Sequence, residues 1–411
     1  MFWNKENRED TKSFISGFVC GLLLMGAVVF GVFAYTHSYL LTAMKSDGLT
    51  VKQALQLVKK ADAIVRTLDS LYLGEYDTEA LLDGAYEGMA EAVGDPYTRY
   101  YTQEQYEKFQ VSTTGTYGGL GVTIVKNDAT GRIRVVSVYE GGPSEAAGVQ
   151  QGDEFMKVEG EDVTGLTTDE LAAKLKGPID TAVTITFYRP ATDSEVEIEI
   201  TRKKIEVPTV EHEMLEDGVG YIAISSFDEI TPNQFDAALE ELRGQGLRGL
   251  ILDLRDNLGG RVDAVEKIAD ALLPEGIITY TVDKNGEKIT YNSDAEHSLG
   301  LPLTVLVNEN SASASEILAG AIQDHGVGTL VGTRTYGKGL VQRTVPFQDD
   351  TALKVTMAKY YTPNGNYIHG VGIEPDIVID LPTGVSYQSL ASHQEDIQFL
   401  TAYEALQTML D

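Results

Sequence analysis

The chain has 411 residues, more than one hydrophobic core normally supports, so about two or three domains are expected. Its 62 acidic and 32 basic residues give a formal net charge of −30. A surface of that charge repels phosphate backbones, which argues against nucleic acid as a partner, and solubility is the simplest explanation of the acidity.

The N-terminal segment contains an apolar run. Residues 13–44 include no Asp, Glu, Lys or Arg, and the stretch 14–34 is about long enough to cross a bilayer as a helix. Basic residues precede it, which favours a cytoplasmic N-terminus. We therefore predict a cytoplasmic segment 1–13 and a single-pass transmembrane anchor over 14–36, with the rest of the chain outside the cytoplasm, extracellular or periplasmic. A cleaved signal peptide is the alternative.

The only cysteine, Cys20, lies inside this apolar run. The exported part therefore has no residue for a disulfide, a thiol nucleophile or a cysteine-based metal site. The histidine and acid spacing suggests no metal site either, and no cofactor is expected.

Residues 45–113 are predicted to form a helical region. Apolar residues recur at three- and four-residue spacings over 55–68 and again over 78–93, and a shorter helix is expected at 104–109. No chemistry is visible here, so we expect an adaptor or dimerisation region. The C-terminal segment 386–411 is predicted to be a helical tail and a second candidate for a homodimer contact.

Residues 114–203 change to short β-rich runs punctuated by glycine, with two short helices expected. The order of these elements resembles a PDZ domain. In that family the run Gly119-Leu120-Gly121-Val122 would be the carboxylate-binding loop and would bind substrate. Consecutive backbone N–H groups of such a loop can face an anion, while the adjacent strand edge accepts an extended peptide. A lone run of this kind is equally consistent with a simple turn.

Residues 204–385 have an α/β pattern. The run 249–254 is continuously apolar, as expected for a strand covered on both faces, and 303–307 is similar. Helices are predicted at 231–242, with Thr231 as N-cap, at 262–272 and at 311–324. A hairpin turn is expected at Asn285-Gly286.

Three motifs stand out in this α/β core. Residues 308–316 read NENSASASE, residues 337–339 read Gly-Lys-Gly, and residues 253–260 read DLRDNLGG at a strand end. At these residues the sequence resembles the carboxy-terminal processing, or tail-specific, serine proteases. The resemblance implies an α/β core of the crotonase/ClpP type and covers the anchor, helical region, PDZ unit and core in the family's order.

The resemblance also implies roles for individual residues. Ser313 would be the nucleophile, Lys338 the general base and Gln342 the residue that orients the lysine. An oxyanion hole would be formed by a backbone N–H of Gly259 or Gly260 together with that of Ala314. Leu258 occupies a position where the family commonly has proline.

The chemistry of this set is reasonable on its own terms. A serine hydroxyl needs a base within hydrogen-bond reach, and a lysine can act as that base only when neutral. No acidic residue lies within six positions of Lys338, and Tyr336 could shield its amine from water. The helix that begins near Ser313 would direct N–H groups at a developing oxyanion.

Each motif also has a structural explanation. Ser313-x-x-Glu316 is a capping box, and residues 332–339 are a near-miss to a phosphate-binding loop that lacks the following Ser/Thr. Only jointly, in order and spacing, do they favour a membrane-anchored serine endopeptidase that grips protein or peptide substrates by free C-termini. The alternatives are a catalytically silent PDZ scaffold and a crotonase-like acyl-CoA enzyme.

Overall fold

The computed structural model describes residues 48–127, 130–294, 296–390 and 392–410. The chain divides after Leu81 into two units. The predicted transmembrane segment 14–36 lies outside the described residues. Among the helices that are described, none has the length and apolarity needed to span a bilayer.

The described part of the first unit is helical. Helix α1 (Val51–Leu71) begins at a capping box in which Thr50 and Gln53 exchange hydrogen bonds. None of its side chains is buried, and apolar residues such as Leu55 and Val58 are exposed. Helix α2 (Thr78–Glu91) follows, and the division of the chain falls within it.

The second unit opens with a short strand and a helix. Strand β1 (Arg99–Tyr101) precedes helix α3 (Gln103–Thr114), which Thr102 caps. The two helices α2 and α3 agree with the predicted helical pattern, but β1 was not expected inside a helical region.

The β-rich unit has the predicted element order. It consists of β2 (Thr116–Gly119), β3 (Val122–Lys126), β4 (Ile133–Val138), α4 (Pro143–Ala146), β5 (Glu154–Val158), β6 (Glu161–Asp162), α5 (Thr168–Leu175), β7 (Ala182–Arg189), β8 (Ser194–Thr201) and β9 (Lys203–Glu206). The sheet order is β3-β4-β5-β7-β8, with β6 on β5, while β2 pairs separately with β9. Alternating apolar residues of these strands form one core that includes Phe155, Ile185 and Phe187.

The α/β core follows. Its elements are β10 (Val210–Met214), β11 (Val219–Ile224), α6 (Thr231–Gly244), β12 (Gly249–Asp253), α7 (Val262–Leu272), β13 (Gly276–Asp283), β14 (Lys288–Ser293), β15 (Leu303–Val307), α8 (Ala314–His325), β16 (Thr329–Gly332), β17 (Leu340–Pro346), β18 (Ala352–Tyr361), β19 (Ile377–Val378) and α9 (Ile397–Leu410).

A six-stranded sheet organises this core. Its order is β10-β11-β12-β15-β16-β19, with only β10 antiparallel. The fully buried strands β12 and β15 lie at its centre, because α6, α7 and α8 cover one face and α9 covers the other. Helix α9 buries Phe399, Ala402 and Leu406 against the sheet, so its apolar face is used within the chain.

A second sheet has the order β1-β18-β13-β14, with β17 also on β18. Strand β1 pairs antiparallel with the first residues of β18, which joins the N-terminal part of this unit to the core. The β17–β18 hairpin leads directly from the predicted lysine motif.

Two predicted helix starts are corrected. Helix α6 begins with Ile230 as N-cap, because Gln234 accepts from the Thr209 N–H at 2.8 Å and forms no capping box with Thr231. Helix α8 begins at Ala314 and not at residue 311, because the preceding serines are used in contacts with a neighbouring loop.

Candidate active site

Ser313 lies on a sharp turn between β15 and α8. Its φ of 59° and ψ of −112° form a conformation that residues with a side chain rarely adopt. Strain of this kind costs about 1–3 kcal/mol and persists only where surrounding contacts impose it. One such contact is the buried Tyr360, whose hydroxyl donates to the Ser313 carbonyl at 3.1 Å.

The serines on either side of Ser313 fix the turn to the loop after β12. The Ser311 hydroxyl donates to the Leu254 carbonyl at 2.8 Å, and the Ser315 hydroxyl donates to the Asn257 carbonyl at 2.8 Å. Both serines are fully buried, whereas Ser313 is partly exposed. In the run SASAS, the hydroxyls of Ser311 and Ser315 therefore anchor the turn, whereas the Ser313 side chain faces a cavity.

The loop after β12 provides the candidate oxyanion donors. Asn257 donates to the Ile224 carbonyl and accepts from the Gly259 N–H, both at 2.8 Å. The Gly259 N–H is therefore engaged. Among the described residues, the N–H groups of Gly260 and Ala314 have no hydrogen-bond acceptor. Of the two predicted glycine donors, Gly260 is the one that remains available.

Gly259 has a different role, which is to allow close approach. A Cβ atom at this position would lie 2.6 Å from the Ala312 carbonyl oxygen and 2.8 Å from the Ser313 Cβ, and its φ is +100°. Leu258 is 70% exposed, so the loop is held by its neighbours and not by the side chain that replaces proline.

A buried ionic cluster fixes the base of the same loop. The guanidinium of Arg255 donates to Asp253 at 2.6 Å and to Asp396 at 2.7 Å, and Tyr387 stacks over it at 4.0 Å. Burial disfavours the charged guanidinium, but the two carboxylates outweigh it and raise the pKa of Arg255. The segment that leads into α9 thus closes over the loop that bears Gly260.

Glu316, the third residue of α8, joins the serine turn to the lysine loop. Its carboxylate is fully buried and accepts from the N–H groups of Ser313 (2.9 Å), Gly337 (2.7 Å) and Lys338 (2.8 Å) and from the Thr335 hydroxyl (2.5 Å). Four donors and the helix N-terminus stabilise the buried charge. The sequence suggested only a capping residue here.

Lys338 has a half-buried amine. Burial is the main factor that lowers the pKa of Lys338, the like charge of Lys354 lowers it further, and the charge of Glu316 opposes both. Glu316 binds the Lys338 backbone and no carboxylate pairs with its amine among the described residues. This arrangement favours the neutral form that a general base requires.

The aromatic cover of this amine is Tyr97, not Tyr336. The Lys338 Nζ lies 5.0 Å from the Tyr97 ring centroid, whereas Tyr336 is 56% exposed. Burial and a hydrogen bond with Tyr336 raise the pKa of Tyr97 to about 12, so its phenol stays neutral. Thr98 anchors this segment by accepting from the Thr356 N–H at 3.3 Å. The region in which the sequence showed no chemistry thus reaches the site.

Gln342 is near the lysine but is not bonded to it. Its amide donates to the Leu340 carbonyl at 3.2 Å and to the Thr356 hydroxyl at 3.5 Å. Within the described part of the chain, neither Gln342 nor Ser313 forms a hydrogen bond with the Lys338 amine. The role of Gln342 in orienting the Lys338 amine remains a prediction.

These residues surround one cavity of about 380 Å³. Ser313, Lys338, Gln342 and Gly260 all line it, together with apolar side chains from α3, α7, α8 and β17. The arrangement can therefore bring an acyl carbonyl to a hydroxyl, an amine and two free N–H groups.

The predicted peptide-binding loop borders a second, small cavity of about 70 Å³. Its walls include Gly119, Leu120, Gly121 and Val122 from the loop, and Ala172 and Leu175 from α5. The N–H groups of Leu120 and Gly121 have no acceptor among the described residues. An anionic group above the loop and an apolar side chain between loop and helix would both find suitable partners.

One surface cluster among the described residues combines possible metal ligands, namely Asp270, Asp294 and His297. The His297 Nδ1 lies 3.1 Å from Asp294 and 3.3 Å from Asp270, which explains the grouping as an exposed ion pair. None of the three lines the cavity that contains Ser313.

Family models match three parts of the chain. They are Peptidase family S41 at residues 218–379, PDZ domain at 134–189, and Activating protease CtpB N-terminal domain at 24–105. The chain is therefore a serine-type peptidase that carries a PDZ domain.

Curated relatives narrow this class. A carboxyl-terminal-processing protease of Synechocystis is 38% identical over 326 residues, which cover 78% of this chain and 76% of the relative. A probable CtpA-like serine protease of Staphylococcus aureus is 34% identical over 371 residues, covering 90% and 73%. The chain belongs to the family of carboxyl-terminal processing proteases, which favours a peptidase over the scaffold and acyl-CoA alternatives.

Solved structures similar to this chain include a photosystem II D1 C-terminal processing protease. It has 31% sequence identity and a TM-score of 0.45, and the match covers 77% of this chain and 86% of that one.

Proposed function

We propose that this peptidase cleaves polypeptides whose C-terminal tails its PDZ groove holds, with Ser313 as nucleophile and Lys338 as general base. The observation that carries the proposal is the shared cavity, which Ser313, Lys338 and Gly260 line, with the unpaired N–H group of Ala314 next to Ser313 in the chain. A curated relative is described as a carboxyl-terminal-processing protease, which supports tails as the recognised feature.

The mechanism follows from this arrangement. Neutral Lys338 accepts the Ser313 proton as the hydroxyl oxygen attacks the scissile carbonyl, and the Gly260 and Ala314 N–H groups stabilise the oxyanion. The lysine ammonium then protonates the leaving amine, which gives an acyl-enzyme. Water, deprotonated by Lys338, hydrolyses the ester and restores Ser313. Gln342 orients the amine once substrate fills the cavity.

Digestion of an unfolded protein with either an apolar or an acidic C-terminal tail tests this proposal. We expect the parent to cut the apolar-tailed protein faster, because the groove wall is apolar, and Ser313→Ala to cut neither. Amidation of the tail should slow cleavage by removing the carboxylate that the loop N–H groups bind. Equal rates for all tails would contradict tail recognition, and cleavage by folded Ser313→Ala would contradict the nucleophile.

The pH dependence provides a test of the base. We expect Lys354→Gln to move the acidic limb of the kcat/KM profile to higher pH, because removing a like charge raises the pKa of Lys338. Since Lys338 acts in its neutral form, a higher pKa means that a higher pH is needed for half-maximal rate. Lys359→Gln, on the exposed face of the same strand, is the control. An unchanged limb in Lys354→Gln would contradict the assignment of that limb to Lys338.

Anchoring and assembly complete the proposal. The uncharged apolar run 14–34 supports a single-pass membrane anchor with the catalytic part outside the cytoplasm. The exposed apolar side chains of α1 support a homodimer contact. Extraction of the full chain from membranes by carbonate would contradict the anchor, and a monomeric mass in detergent would contradict the dimer.

A further inference from the structure

The cavity that contains Ser313 is cationic. Its charged side chains belong to Lys338, Lys354 and Arg261, and no Asp or Glu of the described residues lines it. This contrasts with a chain that has 62 acidic and 32 basic residues. A partly enclosed site with one sign of charge attracts groups of the opposite sign.

Of the three cations, Lys354 is the one that has no carboxylate partner and no assigned catalytic role among the residues that the structure describes. Lys338 is assigned as the base, and Arg261 donates to Asp263 at 2.9 and 2.6 Å. Among the ion pairs of the described residues, none involves Lys354.

Aromatic rings hold the Lys354 amine in place instead. Its Nζ lies 5.4 Å from the ring centroid of Phe109 and 5.7 Å from that of Tyr101. Rings attract a cation without cancelling its charge as a carboxylate would. The ammonium is thus positioned and partly desolvated but keeps its full charge for a partner.

The hairpin places this amine beside the reacting groups. Lys354 is paired with Thr344, and two residues further along the hairpin Thr356 is paired with Gln342, which also lines the cavity. Side chains two residues apart on a strand share a face and are separated by roughly 7 Å. Successive side chains of an extended substrate are spaced similarly. When its carbonyl reaches Ser313, a nearby side chain or terminus of the substrate comes within reach of Lys354.

We propose that Lys354 forms a carboxylate subsite, so that the peptidase favours substrates with a carboxylate close to the scissile bond. The carboxylate belongs either to an Asp or Glu side chain or to a nearby free C-terminus, and both use the same ammonium. The inference rests on the proposed function, because it requires the substrate to lie in the cavity of Ser313. A charge-assisted hydrogen bond in such a setting changes affinity by about 10-fold.

The subsite is tested with short peptides that differ only in having Glu or Gln at one position. That position is varied around the cleaved bond. Each peptide is made with a free and an amidated C-terminus and is cut by the parent, Lys354→Gln, Lys354→Arg and the exposed-face control Lys359→Gln. We expect about a 10-fold higher kcat/KM for Glu at one position in the parent and the control. The ratio should be retained in Lys354→Arg and fall to about one in Lys354→Gln.

The ratio isolates the subsite from the effect of Lys354 on Lys338. A change in the pKa of the base alters the rates of the Glu and Gln peptides equally, and so does PDZ binding, so neither changes their ratio. A preference for the free over the amidated peptide that Lys354→Arg retains and Lys354→Gln loses identifies the terminal carboxylate as the ligand, because a preference that comes from the PDZ loop is the same in all variants. A Glu-to-Gln ratio of one in the parent, together with a preference for the free C-terminus that Lys354→Gln leaves unchanged, overturns the inference and leaves the proposed function intact.

Binding provides a second measurement that needs neither turnover nor a folded Lys354 variant. Ser313→Ala is titrated with the Glu and Gln peptides at low and high salt. At low salt we expect the Glu peptide to bind about 10-fold more tightly than the Gln peptide. At high salt the ratio of the two affinities should fall towards one. Equal affinities of the Glu and Gln peptides overturn an acidic side chain as the ligand of Lys354. Cleavage by Ser313→Ala, or a parent that cuts no peptide, instead overturns the proposed function.

Discussion

Replacement of Lys338 by alanine is expected to lower kcat by about 10³-fold or more, because the serine hydroxyl then has no base. The loss should not come from unfolding, since the lysine amine forms no hydrogen bond or ion pair among the described residues. We expect an unchanged or higher melting temperature, because the amine that is lost is partly desolvated and has no hydrogen-bond partner among the described residues. Kinetics of peptide cleavage and thermal unfolding, measured on the same preparation, check both parts.

Lys338→Arg makes this test sharper. Arginine keeps the positive charge and much of the length but stays protonated at any usable pH, so it cannot accept the serine proton. We therefore expect it to be as inactive as the alanine variant, with no recovery at high pH. Lys359→Arg, on the exposed face of β18, should keep parental kinetics. Lys338→Arg with more than a tenth of the parental kcat would show that another group is the base.

Glu316→Gln is expected to destabilise the fold and the site together. The buried carboxylate accepts from four donors, and an amide would direct its own N–H₂ group at two of them. Leaving buried partners unsatisfied costs about 3–5 kcal/mol when a charged group is involved. Because two of those donors are the N–H groups of Ser313 and Lys338, we also expect kcat to fall at temperatures where the variant is still folded.

Glu309→Gln is a matched control for this change. Glu309 is exposed in the loop between β15 and α8 and accepts one hydrogen bond, from Thr333 at 3.0 Å. We expect a change in unfolding free energy below about 0.5 kcal/mol, as for most surface substitutions. Chemical denaturation of both variants, with kcat measured below their unfolding transitions, separates the effects. A Glu316→Gln protein with parental stability and kcat would show that the carboxylate does not hold the two loops.

Much of the fold was predictable because it depends on local patterns. The apolar runs of β12 and β15, the periodicity of α7 and the glycine-punctuated β unit all appear at the expected positions. The motifs around Ser313 and Lys338 were found for a similar reason, since each is compact in sequence. The structure brings both to one cavity.

The parts that were missed depend on contacts between distant segments. Tyr97 and Thr98 were placed in a region without chemistry because their respective neighbours in space, Lys338 and Thr356, lie far along the chain. The predicted start of α8 was too early because Ser311 is a good helix cap by type but donates to Leu254, 57 residues away. No local pattern indicates that Glu316, a residue of a type that is usually exposed, is buried and accepts hydrogen bonds from two loops.

Some signals for these features were nonetheless present. The alternation of serine with alanine over 311–315 has the spacing of an extended segment and not of a helix, which could have indicated that the helix begins later. The Asn257-x-Gly259 spacing is suited to an Asx turn, which would have identified Gly259 as engaged and Gly260 as free.

The closure of Arg255 by Asp396 and Tyr387 also makes the loop that bears Gly260 depend on a segment that is synthesised much later. The loop that bears Gly260 emerges from the ribosome early, but its ionic partner follows 141 residues later. At typical rates of about 5–20 residues per second, several seconds pass between the synthesis of Lys338 and that of Asp396. We therefore expect the loop to gain its last ionic contact only after both candidate catalytic residues have been made.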